Sequence, residues 1–139
     1  MRLWHKDLID VLPQKQLVAQ WRECCAIARN IAVKGSPSHI LVNRIMDYPI
    51  NEFWVYSKLV FLEMRRRGYL CDFSLFTCWF PNAQLPEDPV DDIDIFSAWH
   101  TKRYMYQCYS NLEEKHDCGG IPDGEWMKIE ERMKGVILV

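Results

Sequence analysis

An acidic residue flanked by basic ones is the first feature of the sequence that could support chemistry. Glu23 lies in a segment, Lys15 to Asn30, whose apolar residues recur at the three- and four-residue steps typical of a one-sided helix. Lys15, Arg22 and Arg29 are seven residues apart and therefore share one side of that helix. The spacing thus predicts a helix with a basic ridge, beside which the carboxylate of Glu23 projects. By residue type alone, Glu23 is more often a solvated carboxylate, and the arginines solvated helix charges.

Several other polar residues have structural interpretations. The histidines at 5, 39 and 100 are predicted to be hydrogen-bonded structural groups, although His39 could line a cleft. Trp4 and Trp21 are predicted to be core residues. The six cysteines are expected to be free thiols, because nothing in the sequence directs export to an oxidising compartment. Their spacing does not match that of structural zinc sites, so we predict no metal ion and no cofactor.

The motifs that are missing restrict the chemistry further. The sequence has no Gly-rich phosphate loop, no His-Glu-x-x-His, no Gly-x-Ser-x-Gly and no zinc-deaminase signature. The net charge of −2 and pI near 6.1 argue against a protein whose whole surface embraces nucleic acid. Any DNA contact must then depend on local basic clusters.

The apolar pattern predicts an all-α protein, and 139 residues fit a single domain spanning 1–139. Three main helices are expected, at 15–30, 49–67 and 93–115, followed by a short amphipathic helix at 125–133 and an apolar tail at 136–139. Residues 33–37 and 71–89 are predicted to be loops, the second a long one. The acidic run from Glu87 to Asp94 is interpreted as a charged first helical turn, and Arg65 to Arg67 as a helix end.

The stretch from Leu8 to Glu23 resembles the start of the phage endonuclease V family of pyrimidine-dimer glycosylases without gaps. The similarity includes the aromatic-Arg-Glu step at Trp21-Arg22-Glu23. The segments 39–41 and 66–69 are also similar to family segments, and Met1-Arg2-Leu3-Trp4 looks like the opening of the family's bacterial branch. The resemblance covers the first third to half of the chain.

This resemblance implies a DNA-repair glycosylase with an associated abasic-site lyase step. In the family, the N-terminal amine attacks the sugar carbon C1′ at a damaged pyrimidine, the base leaves, and an imine joins protein and sugar. The chemistry is physically reasonable, since α-amines have an ordinary pKa of about 7.7–8.0 against about 10.4 for lysine. The resemblance assigns Glu23 to stabilise the cationic sugar and to move protons, and it makes Arg2 and Arg22 phosphate ligands. An N-terminal segment threaded into the active-site cleft is expected.

Two positions differ from the phage pattern. Arg2 is bulky, so Met1 is expected to be retained; counted back from the ungapped block, the Met1 amine then takes the place of the family's terminal amine. Ala26 stands where the family has a DNA-contacting arginine, and Arg29 is the expected substitute one turn later. The predicted site therefore comprises Met1 and Glu23 as catalytic residues and four DNA-binding residues: Arg2, Arg22, Arg29 and His39.

Two other classes of function remain open at this stage. One is a non-catalytic helical module that binds nucleic acid or protein on the same scaffold. The other is a redox protein based on thiols or metal. For the glycosylase interpretation, the expected partner is double-stranded DNA with damaged pyrimidines, and the sequence does not determine the oligomeric state. No stretch approaches the roughly 20 apolar residues that a membrane span needs, and the start lacks a secretory pattern, so a cytoplasmic location without membrane attachment is expected.

Overall fold

The computed structural model describes residues 1–84 and 94–137, and all regular structure in these two ranges is helical. The five α-helices are α1 (Gln14–Lys34), α2 (Ile50–Arg66), α3 (Ser74–Thr77), α4 (Lys102–Asp117) and α5 (Asp123–Ile137). Two 3-10 helices, Lys6–Val11 and Asn43–Asp47, precede α1 and α2 respectively. The predicted all-α class is confirmed. Within the described ranges, no helix is both long and apolar enough to cross a bilayer.

Helix α1 is the predicted first helix, extended by one turn at its C-terminal end. Pro13 caps its start, where a missing N–H costs nothing. Gly35 ends it with a left-handed φ of 79°, a conformation that favours glycine. The buried side is the one that the apolar spacing indicates, with Leu17, Trp21 and Cys24 at most 5% exposed.

Helix α2 lies at the centre of the core and ends as predicted at the arginine cluster. Glu63, although only 7% exposed, accepts hydrogen bonds from Arg66 and Arg67. Arg67 also donates to the carbonyl of Leu12 at 2.8 Å, so it ties the end of α2 to the segment before α1. Burial of the carboxylate is tolerated because both guanidinium groups pair with it. The structural interpretation of this cluster is therefore confirmed.

Helix α4 starts later than the sequence predicts. The prediction of a helix that starts at residue 93 is wrong. Phe96 has a φ of 54°, and its N–H donates to Glu52 on α2 rather than to a helical carbonyl. The helix begins only after Thr101, whose hydroxyl accepts a hydrogen bond from the N–H of Tyr104. Asp94 accordingly lies outside any helix, and the predicted acidic first turn fails for this residue. The rest of that acidic run, through residue 92, lies outside the described residues.

The predicted loop at 71–89 also contains a helix. Helix α3 forms inside it, and the carboxylate of Asp72 accepts a hydrogen bond from the N–H of Ser74 at its start. Phe73 and Phe76 pack against Trp21 of α1, with ring centroids 6.0 and 6.5 Å away. These aromatic contacts fix a segment whose prolines suggested irregular structure. Residues 85–89 of the predicted loop lie outside the described residues.

The C-terminal helix is longer than its apolar pattern suggests. The predicted helix at 125–133 is the middle of α5, which continues over the first two residues of the predicted apolar tail. Trp126, Ile129 and Met133 face the core as expected. Residues 138 and 139 lie outside the described residues.

Two histidines are buried together between the chain start and α4. The rings of His5 and His100 lie 5.1 Å apart, and the two residues are 4% and 6% exposed. The Nδ1 atom of His100 accepts a hydrogen bond from the N–H of Lys6, and that of His5 accepts from the N–H of Asp7. Both are thus structural, as predicted. Burial lowers the pKa of His100 to about 2, and burial also lowers the pKa of His5.

The depressed pKa of His100 should make the fold sensitive to mild acid. A base whose folded-state pKa lies below its unfolded value contributes full stability above pH 6.5 and loses it as the unfolded chain binds protons. As the pH falls from 7 to 5.5, His100 binds a proton in the unfolded chain but not in the folded protein. We expect this difference to lower the free energy of unfolding by about 1 kcal/mol. His100→Asn, which keeps an acceptor near the Nδ1 position, should flatten that decline in urea-unfolding curves.

His39→Asn is the matched control, because the Nδ1 atom of His39 also accepts a backbone N–H but lies in a half-exposed turn. His39 lies outside the buried pair, so this variant should leave His100 buried and keep the decline that His100 causes. An unchanged slope in the His100 variant would contradict the assignment.

Candidate active site

The first four residues of the chain are held against α1 by one side chain, Gln20. Its Oε1 atom accepts a hydrogen bond from the N–H of Trp4 at 2.7 Å, and its Nε2 atom donates to the carbonyl of Arg2 at 2.9 Å. Leu3, between them, is fully buried, and so is Gln20. The primary amide therefore pairs with the segment much as a neighbouring strand would, which satisfies backbone groups that have no helical partner.

Two tyrosines from other helices complete this binding of the backbone. Tyr56 of α2 donates to the carbonyl of Trp4 at 2.6 Å, and Tyr104 of α4 donates to the carbonyl of Leu3 at 2.5 Å. The hydroxyl of Tyr56 also lies 3.0 Å from Oε1 of Gln20. Burial raises the pKa of both tyrosines, so each stays protonated and remains a donor. The expected N-terminal segment is thus threaded among α1, α2 and α4.

Glu23 lies one helical turn after Gln20 and shares its side of α1. The Nε2 atom of Gln20 is 3.3 Å from a carboxylate oxygen of Glu23 while it also donates to the carbonyl of Arg2. One amide group therefore bridges the chain start and the candidate acid. Glu23 is half-buried and Met1 is 40% exposed, so this end of the molecule is open to a ligand. The described residues contain no direct ion pair between the Met1 amine and Glu23, and the link runs through Gln20.

Arg2 lies at the edge of a cavity of about 340 Å³. Its guanidinium is 5.5 Å from the centre of the Trp4 ring. The cavity is also lined by Arg44, whose guanidinium donates to the carbonyl of Ala98 and lies 5.6 Å from the ring centre of Trp99. The cavity therefore has two guanidinium groups near aromatic faces along its lining, an arrangement that can accommodate an anion.

Arg22 and Arg29 lie on another side of α1, as the sequence predicts. Both are exposed, and both line a second cavity of about 520 Å³ that contains the apolar faces of Trp21 and Trp79. At 100° per residue, Ala26 falls between the directions of Arg22 and Glu23 on the helix. It is exposed and small, so nothing bulky on α1 separates the acid from the second cavity.

His39 lies in the turn after α1, near the Arg2 side of the site. Its N–H donates to Asn43, and its Nδ1 atom accepts from the N–H of Leu41 at 3.2 Å, which makes it structural in this turn. The next two residues, Ile40 and Leu41, line the cavity that contains Arg2. The structure thus brings the turn of His39 to the chain start.

The predicted residues fall into two groups around Glu23. Arg2 and the turn of His39 lie on the side of the chain start, while Arg22 and Arg29 border the other cavity. Sequence reasoning missed four further residues that form this site: Gln20, Arg44, Tyr56 and Tyr104. Only Gln20 carried a local signal, because it precedes Glu23 by three residues on a predicted helix and so shares its face. The tyrosines are 52 and 101 residues away from the backbone groups they bind.

The sequence was also compared with known families. A family model described as pyrimidine dimer DNA glycosylase matches residues 1–76, more than half of the 139-residue chain. The chain belongs to this family. Comparison with curated proteins and comparison with solved structures each gave no match.

Membership of the pyrimidine dimer DNA glycosylase family confirms the resemblance seen in the N-terminal stretch. This family of DNA-repair enzymes acts on DNA that contains pyrimidine dimers. The matched range includes every predicted site residue, together with Gln20, Arg44 and Tyr56. Tyr104 lies outside it, on α4, yet completes the binding of the chain start.

Replacing Gln20 should release the chain start from α1. In Gln20→Leu, the N–H of Trp4 and the carbonyl of Arg2 lose their buried partner, and Tyr56 loses one acceptor. We expect the free energy of unfolding, measured in urea, to fall by about 2–3 kcal/mol.

Gln16→Leu provides the matched control one turn earlier on α1. The Oε1 atom of Gln16 is buried without a hydrogen-bond partner among the described residues, so its removal should leave stability unchanged or slightly higher. Equal losses in the two variants would show that Gln20 has no special role.

Proposed function

We propose that this glycosylase removes damaged pyrimidines from double-stranded DNA through an imine formed by the amine of Met1. The observation that carries the proposal is the bridge made by Gln20, which connects the carbonyl of Arg2 with the carboxylate of Glu23. Met1, which bears the terminal amine, directly precedes Arg2, so the proposal places the nucleophile and the acid at one open end of the molecule. Because the attacking nitrogen is the α-amine of the backbone, the proposal does not require a lysine side chain as the nucleophile.

The reaction then assigns a role to each group. The unprotonated α-amine attacks C1′, the bond from C1′ to the pyrimidine nitrogen breaks, and the base leaves with that electron pair. Glu23 stabilises the positive charge that builds on the sugar and accepts a proton from the attacking nitrogen. The C1′–O4′ bond then breaks, O4′ takes up a proton as the sugar ring opens, and the nitrogen lone pair forms the imine with C1′. Loss of a proton from C2′ then expels the 3′ phosphate, which is the abasic-site lyase step. A fixed backbone matters here because a misplaced amine loses the advantage of an intramolecular reactant.

DNA is bound on both sides of Glu23 in this proposal. Arg2 holds a phosphate on the side of the chain start, and Arg22 and Arg29 hold phosphates across the small face at Ala26. His39 supports the first contact through the turn in which it lies. Local cations explain how a chain of net charge −2 can bind a polyanion. We assign the whole chain, 1–139, to one domain, since its buried cluster runs from Leu3 to Met133.

Borohydride reduction on duplex DNA with an abasic site tests the proposed nucleophile. The reduced adduct should map by mass spectrometry to the N-terminal peptide, because an α-amine is far less protonated at neutral pH than a lysine. Glu23→Gln keeps the size of the side chain but removes its charge, and should slow base removal by about 10²–10⁴-fold.

Glu114→Gln is the control for loss of a carboxylate, since Glu114 is exposed on α4. It should behave as wild type. Attachment at a lysine side chain would contradict the role of Met1, and the absence of any adduct would favour a non-catalytic binding module. Undiminished base removal in Glu23→Gln would exclude Glu23 as the acid.

A further inference from the structure

Two large apolar side chains project into solvent next to the site. Ile40 is 82% exposed and Leu41 is 48% exposed, and they are consecutive in the turn between α1 and the second 3-10 helix. Isolated apolar residues at a surface need no explanation. Two adjacent exposed apolar residues at the rim of a cavity lined by arginine are less common than isolated ones, and they indicate a surface that contacts a partner.

The turn that carries this pair is held at both ends. Pro37 is buried and its carbonyl accepts a hydrogen bond from Asn30 of α1. On the other side, Val42 is fully buried, and its N–H and that of Asn43 donate to the carbonyl of His39. The apolar tip is therefore presented in a fixed position, which reduces the entropy lost when it enters a partner.

The surroundings of the tip indicate what kind of partner it meets. Ile40 and Leu41 border the same cavity as Arg2 and Arg44. A partner that binds here must therefore carry negative charge to pair with the two arginines. It must also have, within the width of this cavity, an apolar interior that the two apolar side chains can enter. Duplex DNA has both, since phosphates line its outside and stacked bases form its interior.

We propose that Ile40 and Leu41 form a wedge that enters the base stack at the lesion, while Arg2 and Arg44 bind the flanking phosphates. The wedge rests on the proposed glycosylase function and deepens it by naming how C1′ is exposed. A target nucleotide inside a duplex is shielded by its stacked neighbours, and unstacking it costs free energy. Apolar side chains that fill the opened step offset that cost and hold the duplex bent.

The double variant Ile40→Ala/Leu41→Ala tests the wedge when duplex and single-stranded substrates are compared. The rate of borohydride trapping on an abasic duplex should fall about tenfold or more, because the variant cannot fill the opened step. On the same abasic strand without its complement there is no duplex to open, so the rate should stay within about twofold of wild type. That single-stranded rate also shows that the variant is folded.

Met127→Ala is the matched control, because Met127 is 68% exposed on α5 and lines a different cavity. It should trap both substrates at the wild-type rate. If the double variant traps the duplex as fast as wild type does, the wedge is excluded and the apolar pair serves another partner. Equal losses on both substrates would likewise overturn it.

A second measurement separates the wedge from the imine chemistry. If the wild-type protein forms no adduct on either substrate, the proposed chemistry fails, and the wedge is judged by fluorescence instead. A 2-aminopurine base next to the lesion brightens when it is unstacked. Saturating wild-type protein should raise this signal and the saturated double variant should not. Equal signals from the two proteins would exclude the wedge.

Discussion

The fold of this protein depends on how the backbone of a buried, non-helical segment is hydrogen-bonded in an all-helical protein. Residues 2–4 enter the core without belonging to a helix, so their N–H and carbonyl groups have no partner from regular structure. Burial of such groups without hydrogen bonds would cost about 1–3 kcal/mol each. The amide of Gln20 and the hydroxyls of Tyr56 and Tyr104 remove that penalty for the N–H of Trp4 and for the carbonyls of residues 2–4. The position of the chain start is thereby tied to three helices at once.

This binding has a direct consequence for chemistry. A chain terminus is ordinarily the least ordered part of a protein and a poor place for a catalytic group. Here the backbone is held up to Arg2, and only Met1, which is 40% exposed, precedes the held segment. The amide that fixes the segment also contacts the acid, so the same hydrogen-bonded unit positions both groups. Stability of the N-terminal fold and competence of the proposed site are therefore linked.

The sequence predicts well what is encoded locally. The apolar spacing of α1 and the arginine cluster at the end of α2 are local features of single helices, and both predictions are confirmed. The start of α4 was predicted wrongly because it depends on a left-handed Phe96 whose N–H binds Glu52, 44 residues earlier in the chain. Helix α3 was missed because its stability comes from aromatic packing on Trp21 rather than from its own periodicity.

The candidate site likewise contains some residues that the local sequence identifies and others that only the fold brings there. Glu23 and Arg22 lie in the short stretch that resembles a known family, and Arg2 lies in the opening that resembles its bacterial branch. Arg29 follows from helical spacing, and Gln20 is accessible from its spacing to Glu23. Tyr104 and Arg44 reach the site only through the fold, since Tyr104 binds a carbonyl 101 residues away. The exposure of Ile40 could not be inferred either, because an apolar residue in a loop is as consistent with burial as with projection into solvent.

Residues 2–4 are held as a fixed part of the fold rather than as a frayed end. Amide hydrogen exchange at Trp4 tests this directly, because its N–H is buried and donates to Oε1 of Gln20. The account predicts protection on the order of 10³ or more, comparable to that of core helix amides. Exchange at the rate of an unstructured peptide would contradict the account and would remove the physical basis for placing the terminal amine beside Glu23.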